Sequence, residues 1–364
     1  MSLAVWWRGL ADGSRTGFAE FCLKVLLLPV SLCYSLALRL RGTLYAYGLL
    51  PAYRLPCPVI SIGNITVGGT GKTPATALVA QELQRRGHRV AIISRGYGGS
   101  LKGRVGVVSD GAAILLTAAQ AGDEPYLLAR SLPGTVVVIG ADRYRAGRMA
   151  CERFKPDLLL LDDGFQHIRL KRDLNILLLD SRRPFGNGWT LPFGLLREPL
   201  SAVRRADLVI FTRCQPGRQP AFDVTVPYCC SEHCLTGFNR LTDGGALSCD
   251  TLQRGRVAAF AAIAEPEAFF ESLRQMGLNL AATLALPDHT PYHHAALARL
   301  DAFATAASAD WLLTTEKDGV KLREAATGWK DKIVTARLEL VLHDRGMVLQ
   351  RALDTCECTV EARR

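Results

Sequence analysis

The sequence predicts an α/β protein: a doubly wound, mainly parallel sheet followed by a second, smaller α/β unit. Three observations carry the prediction. Short apolar runs recur at 59–62, 89–94, 135–140, 158–161, 174–180 and 206–212, with helix-like segments between several of them. Unbroken apolar runs are what strands covered by helices on both faces look like. Glycine-rich turns follow two of these runs, at the strand ends where open α/β sheets hold their ligands. The pattern then returns in shorter form, with runs at 256–264, 280–286 and 309–315.

Length and composition set the frame for these elements. The chain has 364 residues, 49% hydrophobic and 21% charged, which suits a globular protein of two domains. The expected organisation is an N-terminal helical segment at 1–50, a nucleotide-binding core at 51–222, a C-terminal α/β domain at 223–345 and a tail at 346–364. The net charge of +10 points to an anionic partner. No block of consecutive lysines or arginines forms a nucleic-acid arm, so nucleic acid is not expected. A phosphorylated substrate or an anionic membrane surface remains. The 11 cysteines are scattered and read as reduced thiols, including Cys356 and Cys358 on an exposed tail. The group Cys229, Cys230, His233 and Cys234 lacks the paired spacing of a zinc site.

The first element is apolar. Residues 25–38 are almost free of polar side chains and are bounded by Lys24, Arg39 and Arg41. The run is shorter than the ~20 residues a spanning helix needs. Three readings stay open from the residues: a buried core helix, an interfacial helix with Trp6, Trp7, Tyr45 and Tyr47 at headgroup level, or a single transmembrane span.

The chemistry begins at 63–74, after the first strand. Thr66-Val67-Gly68-Gly69-Thr70-Gly71-Lys72-Thr73 lies between an apolar run and a helix-like segment at 75–86. That is the setting of a phosphate-binding loop. Backbone N–H groups and the helix N-terminus face an anion there. Lys72 would reach the outer phosphates and Thr73 would help hold Mg²⁺. The usual glycine six residues before the lysine is replaced by Thr66. Arg95, in the glycine-rich turn after the second strand, suits a phosphate contact. Asp123, at the head of a helix, fits either a cap or a catalytic carboxylate. Asp162 and Asp163 end a four-leucine strand, where such loops find their magnesium-holding acid. Gln166 and His167 follow within reach.

Taken in order, Gly63 to Pro74, Ser94-Arg95-Gly96-Tyr97-Gly98, Gly122-Asp123-Glu124-Pro125, Asp162 to His167, Leu196-Arg197-Glu198-Pro199 and Thr315-Glu316-Lys317-Asp318 resemble the tetraacyldisaccharide 4′-kinases, the lipid A 4′-kinases of Gram-negative bacteria. The resemblance runs from about residue 20 to about residue 345, and Thr66 is one of its traits. It implies ATP-dependent phosphorylation of the 4′-hydroxyl of an acylated glucosamine disaccharide 1-phosphate. It also implies a peripheral or monotopic enzyme on the cytoplasmic face of the inner membrane, which selects the interfacial reading of the N-terminal helix. Asp288-His289-x-x-Tyr292 matches the segment whose histidine pairs with Asp123, so Asp123 and His289 would form the proton-accepting dyad. Glu198 becomes a further metal candidate. Arg95, Arg197, Gln166 and His167 become candidates for ATP or substrate contacts. Ala262 stands where the family tends to have glycine. The alternative from another class is a P-loop switch or regulator at the membrane. Thr315-Glu316-Lys317-Asp318 lacks the asparagine that guanine recognition by such switches usually requires.

Overall fold

The computed structural model describes residues 3–11, 17–101, 103–215, 217, 220, 222–323 and 328–361. Helices α1 (Leu3–Ala11) and α2 (Phe18–Ala46) come first. The apolar run 25–38 is only the middle of α2, which has 29 residues and a window of mean hydropathy 2.0. The expectation of a run too short to span is corrected here. Lys24, Arg39 and Arg41 end the apolar stretch but are good helix formers, so the helix continues through them. By length and composition α2 is able to cross a bilayer. Phe18, Phe21, Leu26, Leu36 and Leu40 stand exposed along it.

The first lobe follows the predicted alternation: β1 (Val59–Asn64), α3 (Lys72–Arg85), β2 (Val90–Ser94), β3 (Gly106–Asp110), α4 (Ala118–Ala121), α5 (Asp123–Ser131), β4 (Val136–Ile139), α6 (Arg143–Phe154), β5 (Leu158–Asp162), β6 (Leu174–Asp180) and β7 (Leu208–Thr212). Its strands lie in the order β7-β6-β1-β5-β2-β4-β3. All pairs are parallel except the edge pair β3 with β4. β1 and β5 are neighbours with Ile62 opposite Asp162, so the phosphate-loop turn and the aspartate doublet leave the sheet side by side.

The second lobe contains β8 (Tyr228–Arg240), β9 (Ala246–Leu247), α7 (Cys249–Arg254), β10 (Val257–Ala261), α8 (Pro266–Gln275), β11 (Leu280–Ala285), α9 (His294–Ala306), β12 (Trp311–Thr315), α10 (Glu316–Leu322), β13 (Ile333–Leu342) and α11 (Met347–Glu361). β8 joins the lobes. Residues 228–230 run parallel to β7, and residues 231–240 run antiparallel to β13. One continuous sheet results. Cys229 and Cys230 therefore point to opposite faces, one into the core with Leu349 and Leu353, the other toward Phe165 and Phe211.

Residues 346–364, expected as a tail, instead carry α11. Leu349, Leu353 and Cys356 are buried against Val79 and Leu83 of the first lobe. They recur at helical spacing on one face, which drives docking. Arg86 bonds Asp354 at 2.7 Å, and His88 bonds Glu357 at 3.0 Å.

Candidate active site

One cleft of about 1380 Å³ runs between the lobes, at the carboxyl ends of the central strands. Its first wall is the loop 66–73. Thr66 is buried and pairs in extended form with Leu196, so no left-handed conformation is demanded of it. Val67 donates its N–H to Leu195 at 2.8 Å. Gly71 does need to be glycine. Its φ is +79°, and a β-carbon there would run into His233 Nε2. α3 begins at Lys72 with no side-chain cap, so its first N–H groups face the cleft.

Lys72 Nζ donates to Asn64 Oδ1 at 3.5 Å and lies 3.9 Å from Asp163. The doublet divides at this point. Asp162, the last residue of β5, accepts from Ser94 Oγ at 2.9 Å and Thr76 Oγ1 at 3.2 Å. Burial, then the neighbouring Glu124 and Asp163 carboxylates, push it up to about 6. Asp163, with φ +51°, turns out of the strand to Arg197 Nη1 at 2.9 Å. Burial pushes its carboxyl up, but the Lys72 and Arg197 charges outweigh that and leave it below the usual range. A buried carboxylate raised by two others is relieved by a cation, so the donor set fits Mg²⁺, with Thr73 on the same wall.

Other predicted residues take varied positions. Gln166 Nε2 donates to Asn64 O at 2.6 Å. His167 and Arg95 line the cleft, Arg95 exposed. Burial, then Arg143, hold His167 down to about 4. Glu198 is buried, with its carboxylate bonded by Arg205.

The opposite wall is assembled across the lobes. Asp123 opens α5 but makes no side-chain cap; Gly122 is the N-cap. Its Oδ2 lies 3.4 Å from His289 Nδ1 and 3.4 Å from Lys321 Nζ. Lys317 Nζ sits 3.3 Å from His289 Nε2. An ammonium only donates, so Nε2 accepts and the ring proton is on Nδ1, aimed at Asp123. Tyr97 meets the His289 ring edge-on at 5.8 Å. Asp318 is fully buried, accepting from Ala262 N–H and Thr315 Oγ1, so Thr315-Glu316-Lys317-Asp318 has its aspartate committed to the fold. That bond is made with Ala262, the residue in the family's glycine position.

Sequence reasoning missed four residues. Arg143 is 4% exposed yet charged, donating to Gly140 O at 2.7 Å, and it acts electrostatically on both aspartates. Its place just after β4, at the ligand end of the sheet, was the available signal. Arg213 joins Gly69 O at 2.7 Å, Asp180, and Glu265 of the second lobe at 3.0 Å. His233 entered the sequence reading only with the cysteines around it, as a metal group, and Lys321 carried no motif of its own.

The family model described as Tetraacyldisaccharide-1-P 4′-kinase matches residues 23–356. A tetraacyldisaccharide 4′-kinase of Pelobacter propionicus is 52% identical over 348 residues, 94% of this chain and 95% of that protein. One of Geobacter sulfurreducens is 54% identical over 323 residues, 88% and 91% respectively. A crystal structure of LpxK from Aquifex aeolicus in complex with ATP superposes with TM-score 0.77 at 32% identity, covering 92% of this chain and 99% of that one.

Proposed function

The chain belongs to the tetraacyldisaccharide-1-P 4′-kinase family, and from that membership we propose how its residues divide the reaction. The protein is a kinase that moves the γ-phosphoryl group of ATP to the 4′-hydroxyl of a tetraacylated glucosamine disaccharide 1-phosphate, a step of lipid A biosynthesis. The observation that carries the assignment of residues is one cleft lined by both Lys72 with the loop 67–73 and His289, with Asp123 Oδ2 3.4 Å from the His289 ring.

Lys72 and the loop N–H groups hold the β- and γ-phosphates of ATP. Thr73 and the doublet Asp162-Asp163 would hold Mg²⁺, which supplies charge neutralisation on the phosphate oxygens. Glu198, bonded to Arg205, supports the wall from behind. Arg95, Arg197, Gln166 and His167 contact ATP or the substrate's own phosphate. Asp123 takes the proton of the 4′-hydroxyl as its oxygen bonds to the γ-phosphorus. The bond from that phosphorus to the β-phosphate oxygen breaks, and ADP leaves with the electron pair. His289 holds the carboxylate in place and steadies its charge.

α2 lends Tyr34, Leu38 and Arg41 to the cleft wall. Its exposed apolar side seats in the cytoplasmic face of the inner membrane, and the acyl chains stay there beside it while the headgroup enters. Trp7 anchors near the same level, donating to Pro192 O at 3.0 Å.

The test is Asp123→Asn assayed with Mg-ATP and the disaccharide acceptor. The expected result is a fall in kcat of roughly 10²–10⁴-fold with ATP affinity kept. A variant that chiefly lost ATP affinity would make Asp123 a ligand residue and not the base.

A further inference from the structure

Asp123 is held by two donors, and only His289 belongs to the predicted pair. Lys321, from α10, reaches the same oxygen, Oδ2, at 3.4 Å. Its ammonium also lies 3.5 Å from Asp318 Oδ1 and donates to Thr290 O at 3.3 Å. It rests 5.6 Å from the centre of the Tyr292 ring. The Lys321 side chain is 11% exposed and that of Asp318 is 0% exposed, so this cation is shared between two carboxylates away from bulk water.

We propose that Lys321 is a positioning residue for the phosphoryl transfer: with His289 it claims Asp123 Oδ2, directs Oδ1 toward the acceptor hydroxyl, and hands its charge to Asp318 as Asp123 takes up the proton. This rests on Asp123 being the base. The chemistry explains the arrangement. A base that goes from charged to neutral beside a lone buried cation would strand that cation, which is costly. Asp318 offsets the cost, because its Oδ2 is committed to Ala262 N–H and Thr315 Oγ1 while its Oδ1 stands 3.5 Å from Lys321 Nζ. No further co-reactant is involved. The proton moves from the sugar hydroxyl to Asp123, and the ammonium shifts between two fixed anions.

The charged surroundings of Asp123 are defined on each side. α10 presents Lys321 and Lys317, with Asp318 behind them, and the loop after β11 presents His289, Asp288 and Tyr292. Glu124 is its neighbour on α5. α4 and β4 contribute no charged side chain. Of the charged groups on α3, Lys72 is engaged by Asn64 and Asp163, and Glu82 pairs with Arg85 and Arg86. Asp110 of β3 bonds the backbone of its own turn. Burial pushes the Asp123 carboxyl up, but the His289 hydrogen bond and the Lys321 and Lys317 charges outweigh it and hold it below the usual range. Burial and then the Asp318 charge keep the Tyr292 phenol protonated well past its ordinary value.

The experiment is the pH profile of kcat/KM for the lipid acceptor, with thermal melts as folding controls. Lys321→Met removes a positive charge beside Asp123, so the acid limb moves to higher pH by about one pH unit, and kcat falls about tenfold with the KM for ATP unchanged. Lys321→Arg keeps the charge and leaves the limb near its wild-type position. Asp318→Asn frees Lys321 for Asp123 alone, so the limb moves the other way, to lower pH. If Lys321→Met does not fold, Lys321→Gln carries the same expectation. A neutral variant whose limb stays at the wild-type pH overturns the proposal, as does Lys321→Arg shifting it as far as Met. Asp123→Asn separates the two readings. Retained activity there removes the base assignment itself. Abolished activity with an unmoved Lys321→Met limb removes only the role of Lys321.

Discussion

The two walls of the cleft are built on opposite plans. The ATP wall comes from one unbroken stretch, 63–73, and from the end of the adjacent strand β5. Backbone pairing inside one lobe sets its frame, β1 beside β5 and Thr66 and Val67 on Leu196 and Leu195. The acceptor wall takes Asp123 from the first lobe and His289, Lys317 and Lys321 from the second. Lys317 and Lys321 share α10, and ion pairs and the docking of α10 on α5, not strand pairing, bring them and His289 to Asp123. On the proposed assignment, nucleotide binding belongs to the first lobe, whereas proton acceptance needs both lobes in register. Arg213, bonded at once to the loop, to Asp180 and to Glu265, ties the two plans together.

The comparison breaks first if Lys72 is dispensable. Lys72→Ala is expected to lower kcat/KM by about 10³-fold, since a cation aimed at the transferring group is removed. Steady-state kinetics with the lipid acceptor measure this, and a loss under about tenfold would end the division into walls. His289→Gln is expected to cost about 10–100-fold in kcat with the KM for ATP unchanged, because the acceptor wall alone is touched. A parallel rise in that KM would mean that the walls are not separate.

A smaller effect tests how α2 reaches the ATP wall. Ser31 is fully buried in a helix that is otherwise mostly exposed, with its Oγ 2.7 Å from Thr190 O and 2.9 Å from Thr190 Oγ1. Thr190 pairs with Leu196, which pairs with Thr66. Ser31→Val leaves buried polar groups unmatched and is expected to destabilise the protein by about 1–3 kcal/mol in chemical denaturation. Vesicle association is kept, because the exposed apolar face is intact, and kcat falls severalfold. Loss of vesicle association with full kcat would disconnect helix from loop.

The smallest effect concerns Asp162. Burial first, then two carboxylates, raise it to about 6, above the ~3.9 of an unfolded aspartate. A raised carboxyl contributes its stability fully below the unfolded value and loses it as pH climbs through the folded value. Asp162→Asn cannot ionise. Without nucleotide its melting temperature is therefore expected to gain on wild type between pH 4 and pH 7, by a few degrees. A difference constant over that range would mean that Asp162 is not strained by its neighbours.

Legibility in the sequence followed the same division. Lys72, Thr73, Asp162 and Asp163 were readable because the loop and the strand end are local patterns with local causes. Thr66 looked irregular only because its partner Leu196 lies far along the chain. The two aspartates were indistinguishable as a doublet. The left-handed turn at Asp163 gives one to Arg197 and leaves the other in the strand, bonded to Ser94 and Thr76. The pairing of Asp123 with His289 came from resemblance, since no spacing rule connects them. Lys321 had no signal, because a lysine on a short helix becomes special only through what faces it. The C-terminal segment was misread as a tail although its helical spacing of Leu349, Leu353 and Cys356 was visible.

By itself the sequence determined the alternation of buried strands and helices, the phosphate loop, the acidic strand end and the family. These depend on side-chain period and on short runs of backbone. The tertiary structure alone decided that β8 merges two sheets, that α11 returns to clasp the first lobe, and that three side chains of the second lobe gather around one carboxylate of the first. Contacts between distant segments arise from packing and charge pairing, which no local pattern encodes.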